Sequence, residues 1–397
     1  MTTVSLIEAL ATDGFGEEHL PYGAFSTDGA PARLGVRLGD HALALEDLAA
    51  AAGTSTLTRF AGATSLDPVL QEGPDVWDTL RGEIRDALRL SAGQVPAASL
   101  AQVSMHMPFT VADYVDFYAS EHHAANVGSI FRPGQPALLP NWKHLPVSYH
   151  GRAGTVSIEE TIMRPAGLRP EPSGTPSFGP SRRLDIEAEM GFVVGGPATR
   201  RPVGLAEAAD RLFGVVLVND WSARDIQAFE YVPLGPNLSK SFATSIAPWV
   251  TPWAALTPAR VRPPEREVAL SRYLDDAEAP AWALDIEVEV LLNNEPVSRP
   301  NSRALYWTAP QMVAHMTVNG ATLRPGDFFA SGTISGPERT SRGSFLELSW
   351  GGAEPLRLQD GTEVSFLRDG DEVVLRARAT GRDGVIELGE CRGRIVA

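Results

Sequence analysis

Leu284-Asp-Ile-Glu-Val-Glu-Val-Leu-Leu-Asn-Asn-Glu-Pro-Val-Ser298 alternates apolar and acidic side chains up to a pair of asparagines. Ile286, Val288 and Val290 alternate with Glu287 and Glu289, the two-residue period of a half-buried strand. Asn293-Asn294 then marks a tight turn, because Asn tolerates left-handed backbone. The same grammar runs to the end of the chain, with turn pairs at Asp360-Gly361, Asp369-Gly370 and Asp383-Gly384. No regular alternation of strand and helix accompanies it, so a doubly wound parallel sheet is excluded and a mostly β, α+β chain is expected.

Upstream, Leu34 to Leu38 and His41 to Leu45 form a hairpin pattern around Gly39-Asp40. Asp75 is placed as the cap of a helix with Trp77, Leu80, Ile84 and Leu88 on one face. Gln94 to Ala98 reads as a connector, and a domain boundary is set near residue 108, giving units 1–108 and 109–397. Val111 to Val127 reads as helical, ending at Gly128. Arg164 to Ser181 is Pro-, Gly- and Ser-rich and reads as a long loop. Leu184 to Val194 and Phe213 to Asn219 read as strands, and Trp221 to Tyr231 as a short helix.

The composition agrees. The 397 residues exceed one ordinary core, and 37 Gly with 31 Pro imply many turns. A net charge of -15 opposes binding to nucleic acid or anionic membrane. The longest apolar runs, such as Phe213 to Val218, are too short to span a bilayer. Met1 to Leu10 lacks a basic region before its apolar residues and is not a secretory signal. The lone cysteine, Cys391, cannot form an internal disulfide, so a cytoplasmic protein is expected.

Four segments carry chemistry. In Leu184-Asp-Ile-Glu-Ala-Glu-Met190, strand alternation places Asp185, Glu187 and Glu189 on one face. Neighbouring carboxylates are tolerated on a wet face or around a hard cation. Glu287 and Glu289 repeat the pattern, so alternation alone favours a solvated face and does not choose between the pairs. Asp220 ends an apolar strand, where it is either a helix cap, the commoner role, or a ligand. Read as a helix, the segment from Asp220 puts Arg224 and Gln227 on the same face, and Val111 to Val127 puts Asp116 and His123 on one face. Arg132, Tyr149, His150 and Arg152 follow in a crowded stretch. Ser331-Gly-Thr-Ile-Ser-Gly-Pro337 reads as a turn exposing hydroxyls and N–H groups. Glu347 interrupts an apolar strand in Ser344-Phe-Leu-Glu-Leu-Ser-Trp350 and needs a partner, for which His123 is a sensible choice.

Several long stretches closely resemble the fumarylacetoacetate hydrolase family. They are Asp113 to Arg132 (DYVDFYASEHHAANVGSIFR), Leu138 to Arg152, Leu184 to Met190, Val218 to Phe242 (VNDWSARDIQAFEYVPLGPNLSKSF) and Ala330 to Glu338. Leu20 to Thr27 and Leu346 to Trp350 add to them, so the resemblance runs nearly end to end. It implies a small N-terminal SH3-like β-barrel domain followed by a larger mixed β-sandwich or roll catalytic domain, in a homodimer. It implies calcium or magnesium, or both, with ligands Asp116, Glu187, Glu189 and Asp220, and with Lys240 and Thr244 as a cation-associated pair. His123 matches the general base and Glu347 its partner. Arg224, Gln227 and Lys240 match the groups around the developing oxyanion. Tyr118, Arg132, Tyr231, Thr333 and Gln227 match substrate contacts. The implied reaction is hydrolysis of 4-fumarylacetoacetate, a small diketo acid, to fumarate and acetoacetate, the last step of tyrosine and phenylalanine breakdown. Ser148 departs from a Gly common before Tyr-His-Gly, His122 stands beside the base, and Ala259 to Ala283 matches poorly. An acylpyruvate hydrolase, a related decarboxylase and a structural metal-binding protein are the other readings.

Overall fold

The computed structural model describes residues 5–90 and 95–397. Met1 to Val4 and Gln94 lie outside them, and with them parts of the signal-peptide and connector readings. The architecture is mostly sheet, as the turn grammar predicts. At the N-terminus a five-stranded antiparallel sheet runs in the order Ala98–Ser99, His41–Ala44, Arg33–Leu38, Tyr22–Thr27, Val103–His106. The Gly39-Asp40 hairpin is present, with Leu38 paired to His41. This half-barrel carries more helix than the sequence suggested, including Leu45–Ala52, Ser55–Phe60 and Pro74–Leu90. Trp77, Leu80, Ile84 and Leu88 are buried on one face of the last. Asp75 lies inside its first turn, so the capping reading is corrected: the helix begins one residue earlier, at Pro74, whose fixed backbone suits that position.

The larger part holds two main sheets. A mixed sheet runs Ser148–His150, Asp113–Phe117, Asp327–Ala330, Ala188–Val194, Leu212–Asp220, Thr244–Ile246, Val156–Ser157, with Thr251–Pro252 also on Leu212–Asp220. A second sheet runs Glu295–Ser298, Ile286–Leu292, Glu372–Thr380, Val385–Val396, Thr161–Met163. The Asn293-Asn294 turn takes positive φ at both residues, 51° and 68°, the backbone a two-residue hairpin needs. One core cluster unites the two sheets, from Val115 and Leu217 to Val288 and Leu375. A second joins the N-terminal region to the mixed sheet: Trp77 meets Phe213 edge-on at 5.3 Å between ring centroids, and Tyr22 exchanges backbone hydrogen bonds with Val250.

Three local readings are corrected. Val111 to Val127 is not one helix: Asp113–Phe117 is a strand and Glu121–Phe131 a helix capped by Ser120. The strand inserts beside Asp327–Ala330 and is buried on both faces, which erases any two-residue signal. Arg164 to Ser181 is a hairpin, Ala166–Arg169 on Ser177–Pro180, around a Gly-containing turn. Ser344 to Trp350 is a turn of helix, Phe345–Leu348, with Ser344 capping Glu347. No described helix is long and apolar enough to cross a membrane.

Candidate active site

Strand register gathers one row of functional groups at one end of the mixed sheet. Asp116 pairs with Tyr149 on one side and Ala330 on the other. Glu189 pairs with Val218, and Asp220 with Thr244. Glu187 sits where the strand breaks: Leu184–Asp185 pairs with Ser222–Ala223, and Ala188–Val194 with Leu212–Asp220. As a result ligand atoms of Asp116, Glu187, Glu189 and Asp220 all lie within 4.8 Å of one another, and all four residues are buried. Asp185, expected on their face, stays out of this group and pairs with Arg224. The look-alike pair differs in setting. Glu287 faces Arg378 and Glu289 faces Arg299 on a wet sheet surface.

Asp220 does not cap a helix. It ends its strand, the helix is Arg224–Glu230, and the residue before it is Ala223. Its Oδ1 accepts from Thr244 Oγ1 at 2.8 Å, and Oδ2 from Lys240 Nζ and the Tyr149 hydroxyl, each at 3.0 Å. Glu187 Oε1 accepts from Arg224 Nη1 at 2.7 Å and Lys240 Nζ at 2.8 Å. Gln227 Oε1 takes a second bond from Arg224 Nη1. Glu189 Oε2 accepts the Gly332 N–H at 3.1 Å. Gly332 has φ of 74° and backs onto the Phe117 carbonyl, so a side chain fits neither its backbone nor its surroundings.

The electrostatics favour a bound cation. Burial, then the Asp220 charge, pushes the Asp116 carboxyl well above the carboxylate range, and burial with Asp116 does the same to Glu189. Burial also raises Asp220. Burial would raise Glu187 too, but Lys240 and Arg224 hold it well below the usual value. Two buried cations, Lys240 and Arg224, face five buried carboxylates, Asp185 included. Among the described residues, Asp116 Oδ1 and Glu189 Oε1 are buried without a protein partner. Orphaned, mutually repelling carboxylate oxygens are the donor set of a hard divalent ion, so these residues fit such a metal.

His123 lies beside this cluster on the helix Glu121–Phe131. Its Nδ1 is 2.7 Å from Glu347 Oε2. Oε2 also accepts from Ser335 Oγ and Ser344 Oγ, and Oε1 from Asn126 Nδ2. Burial alone would raise the Glu347 carboxyl, but His123 and these donors hold it below the ordinary value. An ionised Glu347 places a proton on Nδ1, which leaves Nε2 as the ring nitrogen turned to other partners. Asn126, Ser335 and Ser344 were not singled out as partners from sequence. The capping pattern Ser344-x-x-Glu347 was the one available signal.

The remaining candidates surround these groups. The Tyr118 ring meets the His123 ring edge-on at 5.2 Å between centroids. Thr333 Oγ1 is buried without a partner among the described residues, and Ser331 and Ser335 are likewise buried, so the turn hides the hydroxyls it was expected to expose. Arg132 follows the His123 helix and donates Nη2 to the Ala137 carbonyl. Tyr231 follows Arg224–Glu230 and its ring lies 6.0 Å from that of Phe131. Arg132 and Tyr231 thus stand at the margin, without a direct bond to the carboxylates.

Residues 18–108 match the Fumarylacetoacetase N-terminal family and residues 113–396 the Fumarylacetoacetate (FAA) hydrolase C-terminal family. The chain belongs to the fumarylacetoacetase family. Fumarylacetoacetase of Rattus norvegicus is 41% identical over 416 residues, covering 99% of each chain. That of Caenorhabditis elegans is 43% identical over 418 residues, again covering 99% of each. Among solved structures, a putative HpcE protein from Mycobacterium smegmatis aligns with a TM-score of 0.57 and 21% identity, covering 94% of this chain and 98% of that one. Maleylpyruvate hydrolase from Sphingobium sp. SYK-6 aligns at 0.54 and 19%, covering 95% and 99%. These two likenesses concern the fold alone.

Proposed function

We propose that this protein hydrolyses the carbon–carbon bond of 4-fumarylacetoacetate, giving fumarate and acetoacetate. The observation that carries the reading is the pairing of His123 with Glu347 beside the four-carboxylate cluster, in a chain about two-fifths identical to fumarylacetoacetases over its full length.

Glu347 orients the imidazole, and His123 Nε2 takes a proton from water. The resulting hydroxide bonds to the keto carbon next to the fumaryl double bond, and the carbonyl electron pair moves onto oxygen. Arg224, Gln227 and Lys240 supply donors around that oxygen. When the carbonyl re-forms, the carbon–carbon bond breaks and its electron pair leaves with the acetoacetate fragment, which accepts the proton held by His123. Asp116, Glu187, Glu189 and Asp220, flanked by Lys240 and Thr244, would hold a divalent cation, which when bound would supply positive charge for the diketone oxygens and the departing carbanion. We assign calcium, magnesium or both, since the donors are all hard oxygens. Tyr118, Arg132, Gln227, Tyr231 and Thr333 bind the substrate, with Arg132 drawing a carboxylate into an otherwise acidic protein.

The proposal includes a domain boundary near residue 108, supported by the gap between the two family matches. It also includes a homodimer, resting on the family resemblance, and a cytoplasmic location, supported by the single buried cysteine. The deciding experiment follows fumarate release from fumarylacetoacetate by the calcium- or magnesium-loaded protein, beside acylpyruvates. Preference for fumarylacetoacetate in kcat/KM is expected. Faster turnover of an acylpyruvate would replace this reading with an acylpyruvate hydrolase.

A further inference from the structure

Asp185 lies outside the carboxylate cluster and has been given no role so far, yet it is fully buried and every position on its carboxylate is used. Oδ1 accepts the N–H of Ile186 at 2.8 Å and of Phe345 at 2.7 Å. Oδ2 accepts the N–H of Leu346 at 2.9 Å and Arg224 Nε at 2.7 Å. Apart from the neighbouring Ile186, these donors come from two distant parts of the chain. Phe345 and Leu346 open the helical turn that carries Glu347, and Glu347 holds His123. Arg224 opens the helix that carries Gln227. One carboxylate therefore bolts the turn supporting the base to the guanidinium assigned to the oxyanion.

The hydrogen bonds of Arg224 show what the bolt does. Nε is taken by Asp185, and Nη1 by Glu187 and Gln227. Nη2 is buried and has no partner among the described residues. A guanidinium is a rigid planar fork, so fixing one edge fixes where the free donor stands. Without Asp185 the fork is tethered through Nη1 alone and is free to swing about it. At the same time, the helical turn Phe345–Leu348 loses the acceptor for two of its first N–H groups.

We propose that Asp185 is a positioning residue, setting the separation between the His123–Glu347 pair and the free donor of Arg224. It touches no reacting atom and acts through Arg224 and the Glu347 turn. The inference rests on the proposed hydrolysis of fumarylacetoacetate, because the distance it sets matters only if water attack and oxyanion formation occur between these groups.

The test is a double-mutant cycle in the metal-loaded full chain, with Asp185→Asn and Arg224→Gln, read as kcat and KM for fumarylacetoacetate. The amide retains one oxygen but turns a nitrogen toward groups that are themselves donors. Asp185→Asn is expected to lower kcat about a hundredfold, the usual effect of losing an aligned oxyanion donor. KM should change less than about threefold, and calorimetry should find divalent binding retained, since substrate contacts and the four ligands remain. Added to Arg224→Gln, the same change should cost less than about threefold, because residues acting as one unit are not additive. Equal losses in both backgrounds, or a kcat near that of the unaltered protein, overturn the proposal. Should Asp185→Asn fail to fold, Asp185→Ser, with one acceptor in less volume, runs the same cycle under the same criteria. If the unaltered protein does not turn over fumarylacetoacetate, it is the functional reading that fails; if it does and the cycle is additive, it is the role of Asp185.

Discussion

His123 and Glu347 lie 224 residues apart in the chain and 2.7 Å apart in the structure, with both side chains buried. The carboxylate holds four donors at once, from His123, Asn126, Ser335 and Ser344. That surplus keeps it ionised and fixes the imidazole tautomer.

Removing the proposed base should therefore separate chemistry from ion binding. His123→Ala is expected to lower kcat about a thousandfold, within the range for general-base loss. Glu347→Gln should lower it by a similar or larger factor, up to about ten-thousandfold, because the amide no longer dictates the tautomer. Titration calorimetry should find divalent binding nearly unchanged in both. Turnover near that of the unaltered protein in loaded His123→Ala would show that another group takes the proton.

The two Glu-x-Glu strands make a controlled comparison. Glu187→Ala removes a buried carboxylate from the cluster and leaves Lys240 and Arg224 short of an acceptor. Its divalent affinity should fall by roughly a hundredfold or more, since even outer partners of a metal site are worth tenfold to a hundredfold. Glu287→Ala removes an exposed partner of Arg378 and should leave ion binding and activity alone, with a stability change below about 1 kcal/mol. The opposite pattern in calorimetry would move the metal site to the other strand.

His19 gives the fold a pH dependence unconnected with the acidic cluster. Its ring is buried, with Nδ1 2.9 Å from the Gly14 carbonyl and Nε2 2.9 Å from Thr251 Oγ1, so it ties the N-terminal region to the mixed sheet. Burial lowers its pKa to about 3, with Arg81 and Arg37 opposing a further charge. The unfolded chain, titrating near the ordinary 6.5, therefore binds the proton first. The stability from neutral His19 is complete above that value and is lost as pH falls from there toward 3. The loss approaches about 1.4 kcal/mol per pH unit. Chemical unfolding of the unaltered protein and His19→Gln at pH 7, 6 and 5 should show their stability difference shifting in favour of the variant as pH falls. A difference that stays constant with pH would remove His19 as the titrating group.

Much of the fold was legible where one face of a strand is wet. Ile286–Leu292 alternates visibly because its outward Glu287 and Glu289 meet solvent and arginines. Asp113–Phe117 reads as helix in the sequence because neighbours cover both its faces, and Ser344–Trp350 reads as strand because a single helical turn is shorter than any period. The hairpin within Arg164 to Ser181 was hidden by its Pro, Gly and Ser content. Of the site, the residue types were all visible, whereas Asp185 was placed on the wrong face because alternation does not foresee the strand break at Ile186 and Glu187.

What the amino-acid sequence determined by itself is the local inventory: a β-rich chain, its tight turns, and carboxylates set at strand spacing twice over. Hydrophobic period and turn chemistry act over a few residues, and they are the same for Glu187-Ala-Glu189 as for Glu287-Val-Glu289. The family resemblance points to the first pair, and the tertiary structure supplies the physical difference between them. It buries the first pair with Asp116 and Asp220 and leaves the second at a wet surface. Desolvation and charge repulsion depend on what other strands bring near, and that is a property of long-range register.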